Sequence, residues 1–160
     1  KGLLGSKYYT DNPVYPLEDS VANLNIDMIG RIDDLHKDNS NYMYLIGSDI
    51  LSQDLHDVSA AMNDTYINLD LDYRYNDPTT EVFERGRYIE NRYYYRSDHY
   101  NFAKNNVPVI FYFNGTHADY HAPTDTVEKI EYELLEKRTR LIFHTAWEIV
   151  NREGRLRLKE

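Results

Sequence analysis

The sequence predicts an α/β fold: a mixed, largely parallel sheet flanked by helices. Three observations lead there. Short apolar runs recur at Tyr42–Gly47 and Val107–Phe113, the second too continuous for a surface strand. Segments of period two occur at Val21–Gly30 and Ile67–Tyr75. Segments with apolar residues three and four apart alternate with these strands.

Taken in order, Leu3, Leu4 and Tyr8 fall at helical spacing, and Asp11-Asn12-Pro13 ends that helix because a residue before proline avoids the helical region. Val21 to Asp27 alternates apolar and polar residues and turns at Gly30, which puts Asp27 near the C-terminal end of a strand. Tyr42–Gly47 is the second strand. Ser48-Asp49 then reads as an N-cap for a helix carrying Ile50, Leu51, Leu55, Val58, Ala61 and Met62. Ile67–Tyr75 alternates strictly and closes at Asn76-Asp77-Pro78, while residues 79–95 are rich in Arg and Tyr and show no period. Arg96-Ser97-Asp98-His99 opens a helix to Asn106, followed by the buried strand Val107–Phe113. After a loop over Thr116–Asp125, a long helix is expected from Thr126 to Arg152, with Ile130, Leu134, Leu141, Thr145 and Ile149 on one stripe. The tail from Gly154 to Glu160 is expected to fray.

Composition limits the function. The chain has 160 residues, no cysteine, and 27 acidic against 18 basic side chains for a formal charge of −9. A field of that sign repels phosphate backbones and anionic lipid surfaces, so nucleic acid is excluded as an expected partner. No apolar run approaches the roughly 20 residues of a membrane helix. Thiolate metal sites and disulfides are ruled out. Residues 1–80 carry 14 acids and 5 bases, residues 81–160 carry 13 of each, so a cation site is expected to draw on the first half. The first residue is lysine rather than methionine, and the expectation is a fragment or processed form.

In α/β sheets ligands gather at the C-terminal ends of strands. Asp27 stands at one such end, and the loop after Val107–Phe113 holds His117, Asp119, Tyr120, His121 and Asp125 at another. Carboxylate oxygen and imidazole nitrogen are what zinc takes where thiolates are absent. Asp27 and His121 are 94 positions apart, so spacing alone makes no motif. A plain structural reading also stands for each: Asp27 ending a strand, Ser97 and Asp98 capping a helix, Asp125 with Glu128 opening one, and His121 an ordinary loop histidine. His36, His56 and His144 read as structural. The 16 tyrosines, each with an apolar face and a polar tip, would also suit a carbohydrate-binding surface, but they are spread along the chain as for packing. Asn63-Asp64-Thr65 and Asn114-Gly115-Thr116 have the form of glycosylation sequons.

Four ordered blocks carry a resemblance: Lys1-Gly2-Leu3-Leu4-Gly5-Ser6, Asn23-Leu24-Asn25-Ile26-Asp27-Met28-Ile29-Gly30-Arg31, Arg96-Ser97-Asp98-His99, and Tyr120-His121-Ala122-Pro123-Thr124-Asp125-Thr126. Together they resemble the di-zinc aminopeptidases of bacterial leucyl aminopeptidase type. The resemblance implies a zinc exopeptidase fold of which residues 1–160 are the C-terminal part, with the upstream part missing. It implies two zinc ions in the parent protein, with Asp27 a ligand of one and His121 of the other. It also implies that a glutamate pair, one its general base, would come immediately before Lys1. Tyr120 resembles a tyrosine that polarises the scissile carbonyl, and Ser97-Asp98-His99 a block on the substrate side. The implied activity is removal of N-terminal residues from peptide substrates, with this chain by itself inactive and holding zinc at low occupancy or not at all. Related glutaminyl cyclases use an aspartate in a block like that of Asp98, so cyclisation, or a non-catalytic binding domain, are the alternatives on the same fold. Periplasmic or extracellular export is common in the family. A sheet edge left open by missing strands would invite self-association.

Overall fold

The computed structural model describes residues 2–84 and 86–159; Lys1, Arg85 and Glu160, on which parts of the first block, the Arg-rich stretch and the tail fall, lie outside the described residues. Four strands form the main sheet: β1 (Asn23–Ile26), β2 (Tyr42–Ile46), β3 (Asp70–Asp72) and β6 (Val109–Phe113), in the order β1-β6-β2-β3. β1 runs parallel to β6 and β2 parallel to β3, while β2 and β6 are antiparallel, so the sheet is mixed and largely parallel as the sequence predicts. All five residues of β2 and of β6 are buried, which is why these strands read as unbroken apolar runs. β1 is paired on one side only among the described residues, and Ile26 on it is half exposed.

Helices α1 (Leu4–Asp11), α2 (Gln53–Met62), α3 (His99–Ala103) and α4 (Tyr132–Asn151) flank the sheet. On one face Met43, Leu45, Ile110 and Tyr112 pack with Leu55 of α2 and Leu141 and Ile142 of α4. The opposite face gathers Tyr42, Tyr44, Tyr75, Tyr93, Tyr94, Phe111 and Phe113, so many of the tyrosines serve as core. Where polar atoms enter the core they are paired: the hydroxyls of Ser59 and Tyr112 lie 2.9 Å apart, and Thr145 donates to Ser59 at 3.3 Å, joining α2, β6 and α4.

Several elements differ from the sequence reading. α2 begins after Ser52, whose hydroxyl accepts from Leu55 N, because Ser48 is turned inward to His56 and Asn76. A π-helical turn over Asn63–Ile67 and a left-handed Asn68 consume the start of the expected third strand, leaving Asp70–Asp72. Residues 79–95 are not irregular: they hold the antiparallel hairpin β4 (Glu81–Glu84) and β5 (Arg87–Glu90), whose mostly exposed positions erase the alternation that would reveal it. The long helix starts at Tyr132, after a separate short turn at Val127–Lys129. The tail is docked rather than frayed, with Leu156 buried, Arg157 paired with Asp54 at 2.7 Å, and Lys159 N donating to Leu51 O. Asn63 and Asn114 are both buried, the first bonded through its amide to the backbone of Leu69 and the second to that of Tyr42, so neither sequon is open to modification in the folded chain. No helix of the described residues is long and apolar enough to cross a membrane.

Candidate active site

β1 ends at Ile26 and delivers Asp27 to the rim of the sheet, where its amide still donates to Tyr112 O of β6 at 3.3 Å. Its carboxylate is oriented from behind. The buried Ser97 donates its hydroxyl to Asp27 Oδ2 at 2.9 Å, and Asn25 Nδ2 donates to the Ser97 oxygen at 3.0 Å. Ser97 therefore faces the candidate site and does not cap α3. Asp98, its neighbour, turns the other way: its Oδ1 accepts from Ser6 Oγ of α1 at 2.5 Å, and it does not line the cavity beside Asp27.

That cavity, of about 1010 Å³, is bounded by Asp27, Arg31, Arg96, His117, Tyr120 and His121, with an apolar wall that includes Leu3, Met28 and Ile130. Tyr120 and His121 are stacked, ring centroids 3.9 Å apart. The loop that presents them is tied on both sides. Asp119 accepts from Lys129 at 2.7 Å and from Arg31 at 2.9 Å, and Asp125 accepts from Arg31 at 3.0 Å. Hydrogen bonds from Lys129, then Arg31 and Thr124, hold the Asp119 carboxyl well below the usual carboxylate range, so it stays charged and the tie persists. Burial, with the Arg31 guanidinium adding to it, lowers the His117 imidazole, and its Nδ1 has no hydrogen-bond partner.

Asp27, Tyr120 and His121 thus share one cavity, Ser97 stands behind Asp27, and Asp98 is apart. The sequence reading did not single out Arg31 or Arg138 as site residues. Arg138 had a signal, since a charged residue on the α4 stripe between Leu134 and Leu141 is out of place unless it has partners; Arg31 had none. Among the described residues no three histidine, aspartate or glutamate side chains cluster closely enough to hold a metal ion. Asp27 and His121 are of the donor types zinc accepts, yet two donors are fewer than the three protein ligands of a catalytic zinc site, so these residues do not compose one by themselves.

The family model for peptidase family M28 matches residues 1–146. The chain belongs to peptidase family M28. Similar solved structures share the fold of this M28 chain. The LapA aminopeptidase of Legionella pneumophila superposes with a TM-score of 0.66 at 19% identity, over 96% of this chain and 37% of that one. BSAP, a zinc aminopeptidase from Bacillus subtilis, gives 0.65 at 22% identity, over 92% and 32%. The aminopeptidase from Aneurinibacillus sp. strain AM-1 gives 0.64 at 21%, over 99% and 33%. This M28 chain therefore spans about a third of the length of the structures it resembles. No curated protein sequence matches it.

Proposed function

We propose that this M28 chain forms the C-terminal part of a zinc-dependent aminopeptidase domain and contributes one wall of its active site. The observation that carries the reading is the single cavity at the rim of the sheet into which Asp27 and the stacked Tyr120–His121 pair both project. Its place at the C-terminal end of β1 and the M28 membership support it. Zinc, when bound, supplies Lewis-acid activation of water and of the peptide carbonyl. Asp27 and His121 would hold it, one donor toward each of two ions, with the remaining ligands and the general base coming from residues outside this chain. Ser97 keeps the Asp27 carboxylate aimed by donating to its second oxygen. Tyr120, which lines the same cavity, would donate its phenol to a developing oxyanion, and the apolar wall of Leu3, Met28 and Ile130 would take up apolar parts of a peptide. Asp98, on which a cyclase reading would draw, is engaged with Ser6, and the peptidase reading does not need it.

The test is hydrolysis of leucyl-p-nitroanilide by the longer protein that contains this chain, with and without a chelator. Asp27→Ala and His121→Ala should each lower kcat/KM by at least about 100-fold, as the loss of a metal ligand requires. Wild-type rates in either variant would refute the assignment, and so would robust hydrolysis by the 160-residue chain alone. The unpaired edge of β1 also supports self-association of the isolated chain. A monodisperse monomer in light scattering would count against that part.

A further inference from the structure

Asp27 and His121 reach the same cavity from segments far apart in sequence, and what holds those segments in register is a question their own bonds do not answer. Both stand at strained backbone. His121 itself has φ of 58°, and Met28, directly after Asp27, has φ of 61°. A residue with a Cβ persists in the left-handed region only where its surroundings over-determine it. Two guanidinium groups supply that constraint. Arg31 sends Nη2 to Asp119 at 2.9 Å and Nη1 to Asp125 at 3.0 Å, so its planar fork grips the segment carrying Tyr120 and His121 on either side. Two divergent charge-assisted bonds fix orientation, which a single ammonium could not do. The main chain of Arg31 is gripped in turn. Arg138 of α4, fully buried, donates Nη1 to Ile29 O at 2.7 Å and to Arg31 O at 2.8 Å, and Nη2 to Ser40 O at 3.1 Å. Glu131 N, at the start of the same helix, donates to Gly30 O.

Among the described residues Arg138 makes no bond to a carboxylate; its hydrogen bonds end on main-chain carbonyls, and its guanidinium lies over the Tyr42 ring at 5.4 Å. A buried charge of this kind is a poor way to gain stability compared with an apolar side chain of the same size, but a good way to specify one loop geometry. We propose that Arg138 and Arg31 act in series as positioning residues: Arg138 fixes the loop after Asp27, and Arg31, borne on that loop, fixes the His121 segment against it. The spacing of the two site residues is then set by α4 and not by either loop alone. That this spacing serves a metal and a peptide carbonyl rests on the proposed function; the mechanical coupling of the loops does not.

The experiment has two readouts, amide hydrogen exchange by segment in the 160-residue chain and cobalt(II) as the metal probe in the longer protein that contains it, where the remaining ligands are supplied. Arg31→Gln should speed exchange of residues 117–125 by about tenfold or more while leaving β6 and α4 at wild-type protection, as expected for a local opening. Arg31→Lys, which keeps the charge and can reach one carboxylate at a time, should fall between. Arg138→Lys should loosen both residues 27–31 and residues 117–125, the order that a series arrangement demands. Cobalt(II) affinity should drop about tenfold in Arg31→Gln, the scale of losing an outer-shell support, with the melting temperature unchanged, whereas His121→Ala should abolish it. Wild-type exchange at 117–125 in Arg31→Gln overturns the proposal, and faster exchange confined to 27–31 in Arg138→Lys overturns its serial order. If Arg138→Lys fails to fold, the Arg31 variants still decide the grip on the His121 segment. Exchange as proposed in the 160-residue chain, with no cobalt binding in the longer protein that depends on Asp27 or His121, upholds the coupling and sinks the zinc reading.

Discussion

Acidification should weaken this fold through one buried residue, His99. His99 opens α3 with no exposed surface, its ring stacked on Phe111 at 4.8 Å and edge-on to Tyr94 at 5.6 Å, and neither ring nitrogen has a hydrogen-bond partner of full geometry. Burial pushes its pKa down from 6.5 to about 4; the Tyr94 backbone and the Asp98 charge oppose this only in part. The sign follows from linkage. With a folded pKa below the unfolded one, the unfolded chain binds the extra proton, so stability is complete above 6.5 and is lost as pH falls toward 4. Between about pH 7.5 and about pH 4.5 the loss from this one group is on the order of 2–3 kcal/mol. Phenylalanine keeps the stacking surface and removes both the titration and the unpaired nitrogens. Urea unfolding of the wild type and of His99→Phe at the two pH values isolates the effect, because every other titrating group is common to both. The advantage of the variant should widen by roughly 2–3 kcal/mol at the lower pH. A gap that changes by less than about 0.5 kcal/mol would refute the reasoning and mean that His99 finds a partner or water when protonated.

Two further outcomes concern the loop after β6 and the docked tail. Gly115 has φ of 82°, and a Cβ there would lie 2.2 Å from Asp33 Oδ2, which is held in place by the Tyr44 hydroxyl at 2.7 Å. Gly115→Ala should therefore lose about 2–4 kcal/mol in thermal unfolding, and a change under about 0.5 kcal/mol would show that Asp33 can yield. The docked tail depends on Arg157, whose hydrogen bonds hold the Asp54 carboxyl well below the usual aspartate range. The tie is present above the ordinary aspartate value of 3.8 and is released only as pH falls through the lowered one. Arg157→Ala should open residues 154–159 to carboxypeptidase at neutral pH, and equal trimming of variant and wild type would show that Leu156 and the Lys159–Leu51 and Arg155–Glu18 bonds hold the tail without it.

Local pattern was enough for much of the fold. The apolar runs of β2 and β6, the alternation into Asp27 and the stripe of α4 follow from burial on two faces, one face or one stripe, and each leaves its period in neighbouring residues. Where exposure removes the period the elements vanish from the sequence: β4 and β5, with most of their side chains in solvent, read as irregular, and the charged tail read as frayed although Leu156 is buried. Position relative to a strand end also marked Asp27 and the loop that holds His117, Asp119, Tyr120, His121 and Asp125, and the family resemblance picked Tyr120 out of that loop.

The fold class, the apolar strands and the kinds of side chain that could serve a cation are thus written in the order of residues along the chain. Which of those side chains meet depends on how the strands and helices pack. That packing turned Ser97 toward Asp27 and Asp98 away to Ser6, set Arg31 between Asp119 and Asp125, and buried Arg138 against the carbonyls of Ile29 and Arg31. Those contacts join residues about 90 or more positions apart in most cases, and a hydrogen bond between such partners leaves no periodic trace in either segment, because its geometry exists only once the sheet has brought the strand ends together.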